Sequence, residues 1–216
     1  MLFTEVIEEY GKLLNSYFHF YLLHSRKNHL FSREVTIMFY KENFYHLAGI
    51  HYLKDVESRV PSNSRVLFDT LHSTLRLDKP ILENPNYKRI IESQYVSQVF
   101  SRWSVLRTMH ASLRNPNIKI WSRNPNARGI PTKVDFDLLL ELPRQGGSEP
   151  SLHSYLFCKE DSTVDGLFHP VSVFQTEDLF SLNQKNWKVY QCSLLYPQYT
   201  LELGNLFPNF QKSVMT

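Results

Sequence analysis

The spacing of apolar residues changes at Asn115-Pro116-Asn117, and that change constrains the fold more than any other feature of the chain. Before it, apolar side chains recur at steps of three and four, the repeat of one helix face. Over residues 4–26 the stripe is Val6, Tyr10, Leu13, Leu14, Tyr17, Phe18 and Tyr21. Thr4 is placed to cap its start, Glu5, Glu8 and Glu9 lie near its positive end, and Arg26 and Lys27 near its negative end. Over residues 86–113 the stripe is Val96, Val99, Trp103, Leu106, His110 and Leu113, which predicts the longest helix, with Arg102, Arg107 and Arg114 off its apolar face. A shorter helix is predicted from Ser62 or Asn63, turning Val66, Leu67, Thr70, Leu71 and Leu75 inward, and Pro80 and Pro85 break the pattern after it. One strand-like run, residues 34–40, precedes the stretch around His46.

Beyond the Asn-Pro-Asn turn the reading is of strands, at residues 118–122, 132–142, 152–159, 167–174 and 187–195. In the second of these Val134, Phe136, Leu138 and Leu140 are expected on one face and Lys133, Asp135 and Asp137 on the other. Helices first and consecutive strands afterwards indicate an α+β fold: an N-terminal helical part followed by a small, mostly antiparallel sheet. Residues 1–216 read as a single domain, mainly helical over 1–115, β-sheet over 116–196, with an irregular tail over 197–216. The three Asn-Pro-Asn triplets are turn chemistry and not a repeat unit.

Composition removes several functional classes. Seven glycines with no Gly-x-Gly-x-x-Gly and no Walker-type loop argue against nucleotide-cofactor binding through a glycine loop. No cofactor is expected. Cys158 and Cys192 lack metal-ligand spacing and read as buried free thiols, and there is no Cys-x-x-Cys and no His-Glu-x-x-His, so no metal is expected. The acidic start lacks the basic residue and apolar run of a signal peptide, and no apolar run suits a membrane span. A soluble, cytoplasmic protein without a membrane partner is the expectation. A net charge of +3 is compatible with a polyanion partner but too mild to identify one. An aromatic content of 14 % supplies either core or base-stacking surface.

Within that frame one stretch carries chemistry: Phe39…Phe44-Tyr45-His46-Leu47-Ala48-Gly49-Ile50. It holds an imidazole in an apolar setting that can fix its tautomer, direction and proton affinity. The plain alternative for His46 is a turn histidine bonded to a backbone carbonyl. The stretch is similar to the aromatic-x-His-Leu-x-Gly signature of a nuclease-like family of phages and other mobile elements, grouped with the barnase, EndoU, colicin-nuclease and RelE fold. Three further segments carry the resemblance: Lys133-Val134-Asp135-Phe136-Asp137-Leu138-Leu139, then Ser154-Tyr155-Leu156-Phe157-Cys158-Lys159, then His169-Pro170-Val171-Ser172-Val173-Phe174 followed by Trp187-Lys188-Val189. Order and spacing fit over residues 35–195.

The resemblance implies a helical part before a small antiparallel sheet and metal-independent cleavage of RNA, as a toxin or mobile-element effector. That chemistry needs a base for the ribose 2′-hydroxyl proton, an acid for the leaving oxygen and donors for the phosphate. His46 fits the acid/base role. Lys133 and Ser172 are the candidates for the phosphate, and His169 for a second acid/base group. Arg123, Arg128, His153, Lys159 and Gln191 are candidates for binding substrate. Each has a plain alternative: Lys133 as a solvated strand-edge lysine, Ser172 as a hydroxyl bonded to backbone, His169 as a strand-entry residue before Pro170. His153, Tyr155, Phe157 and Lys159 alternate onto one strand face, which is either a base-stacking surface or a sheet face packed under the long helix. Asp135 and Asp137 read as a solvated face. His110, on the helical stripe, reads as structural. The leading expectation is therefore a metal-independent endoribonuclease with RNA as partner, together with an antitoxin or immunity protein. The alternative is a catalytically inactive binding module of a mobile element.

Overall fold

In the computed structural model, which describes residues 2–26, 29–77, 80–125, 132–143, 151–182 and 184–195, the first helical stripe divides in two. Helix α1 spans Leu2–Leu13 and buries Phe3, Val6, Ile7, Tyr10 and Leu13. It stops where its last carbonyls are satisfied locally: Asn15 donates its side-chain amide to the Gly11 carbonyl, and the Ser16 hydroxyl donates to that of Lys12. Strand β1, Tyr17–Arg26, begins at the next residue. Phe18, Phe20 and Leu22 are fully buried at alternate positions, so this aromatic stretch satisfies a period of two as well as a helical one.

Long-range pairing decides between the two. β1 runs antiparallel to β2 (His29–Met38) from Tyr17↔Met38 to Arg26↔His29, and antiparallel to β7 (Lys185–Leu195) on its other side. The remaining strands are β3 (Lys119–Ser122), β4 (Leu138–Leu142), β5 (His153–Glu160) and β6 (Leu167–Thr176). They close into a barrel in the order β1-β2-β6-β5-β4-β3-β7.

The expectation of an α+β chain is met, but the small sheet is corrected to a closed barrel. Two of its strands lie within the first 115 residues, and they cover the edges that an open sheet of the later strands would leave unpaired. All neighbours are antiparallel except β2 and β6, which meet in a parallel seam of two pairs, Thr36↔Leu167 and Ile37↔Phe168. The Thr36 N–H extends the seam by donating to the Gly166 carbonyl at 2.8 Å.

The other helices lie between β2 and β3. They are α2 (Phe44–Leu47), α3 (Ser64–Arg76), α4 (Pro85–Ile91), α5 (Phe100–Leu106) and α6 (Met109–Leu113). Asn63 caps α3 by accepting from the Val66 N–H, and Asn84 caps α4 by accepting from Asn86 and Tyr87, with Pro85 at the first helical position. The long helix predicted over residues 86–113 is thus three helices. The carboxylate of Asp55 accepts from the Ser93 hydroxyl and the Gln94 N–H, which draws the chain out of helix just after α4. The stripe survives the break: Val99, Trp103, Leu106 and Leu113 are all buried.

One apolar core joins the helices to the barrel, with Phe3, Tyr10, Phe44 and Trp103 against Phe18, Ile37, Leu138, Leu140, Leu156 and Phe168. A second cluster, Trp121, Phe136, Leu139, Tyr155 and Phe157, is joined by Val134, Phe174 and Phe180. This corrects the predicted alternation over residues 132–142. Val134 and Phe136 belong to the second cluster while Leu138 and Leu140 belong to the first, and the strand begins only at Leu138. Among the described residues no helix is long and apolar enough to cross a membrane. The predicted tail over 197–216 lies outside the described residues.

Candidate active site

The turn after His46 builds the site. α2 ends at Leu47, and Gly49 adopts φ 74° and ψ 18°, the left-handed region that glycine enters without a Cβ penalty. In a continuous helix side chains three or four apart are neighbours, and those five apart diverge. The left-handed turn instead brings His51 against His46, with ring centroids 4.9 Å apart. The His51 ring also lies 4.0 Å from that of Tyr52.

Gly49 has a second role. A Cβ there would stand 2.7 Å from Arg102 Cδ and 2.8 Å from Val99 Cγ1. One residue earlier the Ala48 carbonyl accepts the Trp103 indole N–H at 2.9 Å. The Leu47-Ala48-Gly49 segment is therefore clamped directly onto α5, and the clamp fixes Arg102.

Arg102 is only 8 % exposed. Its Nη2 donates to the Tyr52 hydroxyl at 3.1 Å, and its Nη1 donates to Ser172 Oγ at 3.4 Å. The guanidinium carbon sits 4.9 Å from the Tyr52 ring centre and 5.7 Å from that of Phe174. Burial pulls its pKa below the ordinary arginine value, with Tyr52 acting against that, yet a guanidinium remains charged near neutrality. Among the described residues no carboxylate pairs with it. Ser172 is held in reach by β6, against which both α2 and α5 pack. The β5–β6 register shifts so that Phe157 faces Ser172 and Cys158 faces Pro170, leaving Val171 as a bulge that re-aims the strand beside Ser172.

The chemical capacity of the group rests on these contacts. A buried charge without a counter-charge is costly to maintain. Tyr52 and Ser172 both accept from Arg102, so each keeps its own hydroxyl hydrogen to donate elsewhere. A cation and two hydroxyls together form a receptor for an anion such as a phosphate. His46 is exposed and joins this group through its ring contact with His51.

His51 plays a different part. Burial, then His46, then Arg102 push its pKa from the ordinary 6.5 down to about 4, against a smaller raising effect of the Tyr45 backbone, so it is neutral at neutral pH. Burial also lowers the pKa of His19, His72 and His110. A histidine with a depressed folded-state pKa leaves stability unaffected above its unfolded pKa. Below that value the unfolded chain takes up protons that the fold refuses. Stability is accordingly expected to fall as pH drops from about 6.5 towards 4, read as a lower urea midpoint at pH 5 than at pH 7. His51→Gln is expected to shrink that difference; an unchanged difference would mean that His51 is not held neutral.

The other residues singled out in the sequence lie apart from this group in their contacts. Lys133 is exposed on the segment before β4, and neither a hydrogen bond nor an ion pair ties it to a described residue. Two of the other candidate cations are taken up by carboxylates. Arg123 donates to Asp135 at 2.6 Å, and Lys159 reaches Asp135 at 2.9 Å and Asp137 at 3.3 Å. Lys159 and then Arg123 hold the Asp135 carboxyl below its ordinary range.

His153 pairs with Glu141 at 3.0 Å. Tyr155 and Phe157 on its strand are fully buried in the second cluster, so that face is core and not a base-stacking surface, though it packs under Phe174 and Phe180 instead of the long helix. His169 faces Lys159 across the ladder and Tyr40 at 6.3 Å, with its Nδ1 buried and unpartnered; neither a hydrogen bond nor a ring contact joins it to His46. His110 packs edge-on to Phe18, in keeping with a structural role. Arg128 and the Gln191 side chain lie outside the described residues.

Of the expected set, then, the structure links His46 and Ser172 through a run of contacts, and no direct contact joins them. The link between them is His51, Tyr52 and Arg102, none of which the sequence reading selected. The available signal was the pair of aromatic and imidazole residues directly after Gly49, and an arginine beside the buried Trp103. Among the described residues no three His, Cys, Asp or Glu side chains gather as a metal-holding group.

A family model described as phage-Barnase-EndoU-ColicinE5/D-RelE like nuclease 4 matches residues 3–141, which include His46, Gly49, His51, Tyr52 and Arg102 but not Ser172. No curated protein and no solved structure matches the chain.

Proposed function

The chain belongs to the phage-Barnase-EndoU-ColicinE5/D-RelE like nuclease 4 family, and from that premise we propose that it is a metal-independent endoribonuclease, a toxin or effector of a phage or other mobile element. The observation that carries the reading is Arg102: a buried guanidinium with two hydroxyl companions, no carboxylate paired with it among the described residues, and an exposed imidazole linked to it through His51 and Tyr52.

In this reading the scissile phosphate of RNA takes the place of the missing counter-anion. Arg102 neutralises the charge that builds on its oxygens in the transition state, and the Tyr52 and Ser172 hydroxyls donate to them. His46 takes the proton from the ribose 2′-hydroxyl. The 2′ oxygen then bonds to phosphorus as the bond to the 5′ oxygen breaks, and solvent water protonates the leaving oxygen while His46 releases its proton to solvent, giving a 2′,3′-cyclic phosphate and a 5′-hydroxyl. His51, held neutral, packs against His46 and sets its direction without adding a competing charge to the cleft. Lys133 and His169 stand outside the reacting set, since no hydrogen bond, ion pair or ring contact ties either to the His46–Arg102 group.

The test is incubation of the purified chain with mixed RNA in EDTA. Cleavage is expected, with cyclic phosphate ends, and His46→Ala is expected to slow it about a hundredfold, the low end for loss of a positioned acid/base group. Intact RNA with the wild type, or equal cleavage by the variant, would refute the mechanism. Growth arrest on overproduction that disappears with His46→Ala supports the effector role; unhindered growth with the wild type counts against it.

A further inference from the structure

We propose that the cleft beside Arg102 is a nucleobase pocket, taking the base adjacent to the phosphate that Arg102 holds and preferring bases with an exocyclic amino group over uracil. This rests on the phosphate-site reading above and extends it to recognition.

The cleft encloses about 310 Å³ and shares Arg102 and Tyr52 with the anion receptor. That is the lower end of ordinary ligand pockets, a size for one flat heterocycle and not for a large cofactor. Phe174 supplies the aromatic wall, beside the Arg102 guanidinium that lies 5.7 Å from its ring centre. It is half-buried, stacked on Phe157 at 5.2 Å and 24°, and braced by Phe180 at 5.6 Å and 81°, so its orientation is fixed before anything binds. Tyr52 and Phe180 line the same cleft. Aromatic faces hold bases of any sequence through their π-faces.

Discrimination comes from the polar rim. Asp178 lines the cleft, and its exposed carboxylate makes no ion pair with a described residue. Its backbone N–H donates to the Thr176 hydroxyl oxygen at 3.1 Å, which pins the turn that carries it. A carboxylate only accepts hydrogen bonds. Gln175 lines the same cleft and commits its amide nitrogen to Ser154 Oγ at 3.1 Å. Adenine, cytosine and guanine offer amino hydrogens to the Asp178 carboxylate. Uracil keeps one ring N–H to donate but presents carbonyl oxygens where those amino groups stand, so a carboxylate placed for the amino group meets an oxygen there, which is repulsive.

The experiment is calorimetric titration of the full chain, in EDTA, with inorganic phosphate and with the 3′-monophosphates of adenosine, cytidine, guanosine and uridine. The amino-bearing nucleotides are expected to bind about tenfold or more tightly than inorganic phosphate, from the stacking of one base, and several-fold more tightly than the uridine nucleotide. Asp178→Asn, an exposed and structurally safe change, is expected to erase the discrimination against uridine. Phe180→Leu, which removes the brace behind Phe174, is expected to weaken all four nucleotides several-fold and to leave inorganic phosphate within twofold.

Nucleotides that bind no better than phosphate, or a preference that Asp178→Asn leaves intact, would overturn the pocket while leaving the phosphate site standing. Selective nucleotide binding by a protein that does not cleave RNA would uphold the pocket and overturn the nuclease reading. Absence of binding by phosphate and nucleotides alike would overturn both.

Discussion

Replacing Arg102 by Gln is expected to cut RNA cleavage by about 10³- to 10⁴-fold, somewhat more than loss of a single transition-state donor, while leaving the protein as stable as the wild type or up to about 2 kcal/mol more stable. The two halves of that expectation have one cause. Arg102 is 8 % exposed and its charge is met by two hydroxyls and two aromatic faces, not by a carboxylate. In the empty protein this is a desolvated cation whose companions recover part of the cost. With a phosphate bound, the same guanidinium supplies the central charge of the receptor and orients Tyr52 and Ser172, so losing it removes more than one interaction at once. A neutral side chain of similar reach relieves the desolvation and forfeits the anion. Urea midpoints and cleavage rates on the same preparations test both parts. If Arg102→Gln unfolds the chain by several kcal/mol and activity falls only with the folded fraction, the arginine is a structural element and the site assignment fails.

The second large effect is expected at Gly49. Gly49→Ala should lose about 2–4 kcal/mol of stability, the sum of a left-handed conformation forced on a Cβ-bearing residue and a contact that the packed interior cannot relax. Gly49→Val should lose more and accumulate little folded protein. The contact distances, 2.7 Å to Arg102 Cδ and 2.8 Å to Val99 Cγ1, identify what must move. Since Arg102 is one of the displaced groups, cleavage per folded molecule should fall as well, by about tenfold or more for Ala, because catalytic donors tolerate little misplacement. Wild-type stability and turnover in Gly49→Ala would show that the turn is not under the constraint its geometry implies.

Gly49 also marks how far the sequence could be read. His46 and Gly49 are three residues apart, so their relation is local and their motif is legible without any tertiary knowledge. His51 is local too. It escaped selection because no regular period puts residues five apart side by side, and only a left-handed turn does so. Arg102 was legible as a position and misread as an environment. Off the apolar stripe of a single long helix it belongs in solvent, but the helix breaks after α4 and β6 packs across α5, which buries it. Ser172 was reached through a motif, and nothing in the sequence connected it to residue 102.

In the fold, β1 was lost to a helix because residues 13–21 fit both apolar periods, and the choice is made by strands at the far end of the chain. A period reports which residues face inward. It does not report what they face, and barrel closure is a statement of the second kind. The charge cluster of Arg123, Asp135, Asp137 and Lys159 illustrates the same limit: its cations were candidates for a substrate because their pairing with the segment before β4 was invisible in the linear order.

The two-pair seam between β2 and β6, and the pairing of Tyr17 with Leu195, bear on timing as well as shape. A barrel held shut by its sequence-distant ends has to meet a large loop-closure entropy before those pairs reward it, which puts the chain among the slowly folding topologies. Ser172 belongs to the strand that forms the seam, whereas Arg102 and His46 come from the segment before β3. During synthesis the imidazole and the guanidinium leave the ribosome long before the hydroxyl that completes their receptor. In the proposed site, a nascent chain therefore lacks its complete anion receptor until β6 has been made and paired.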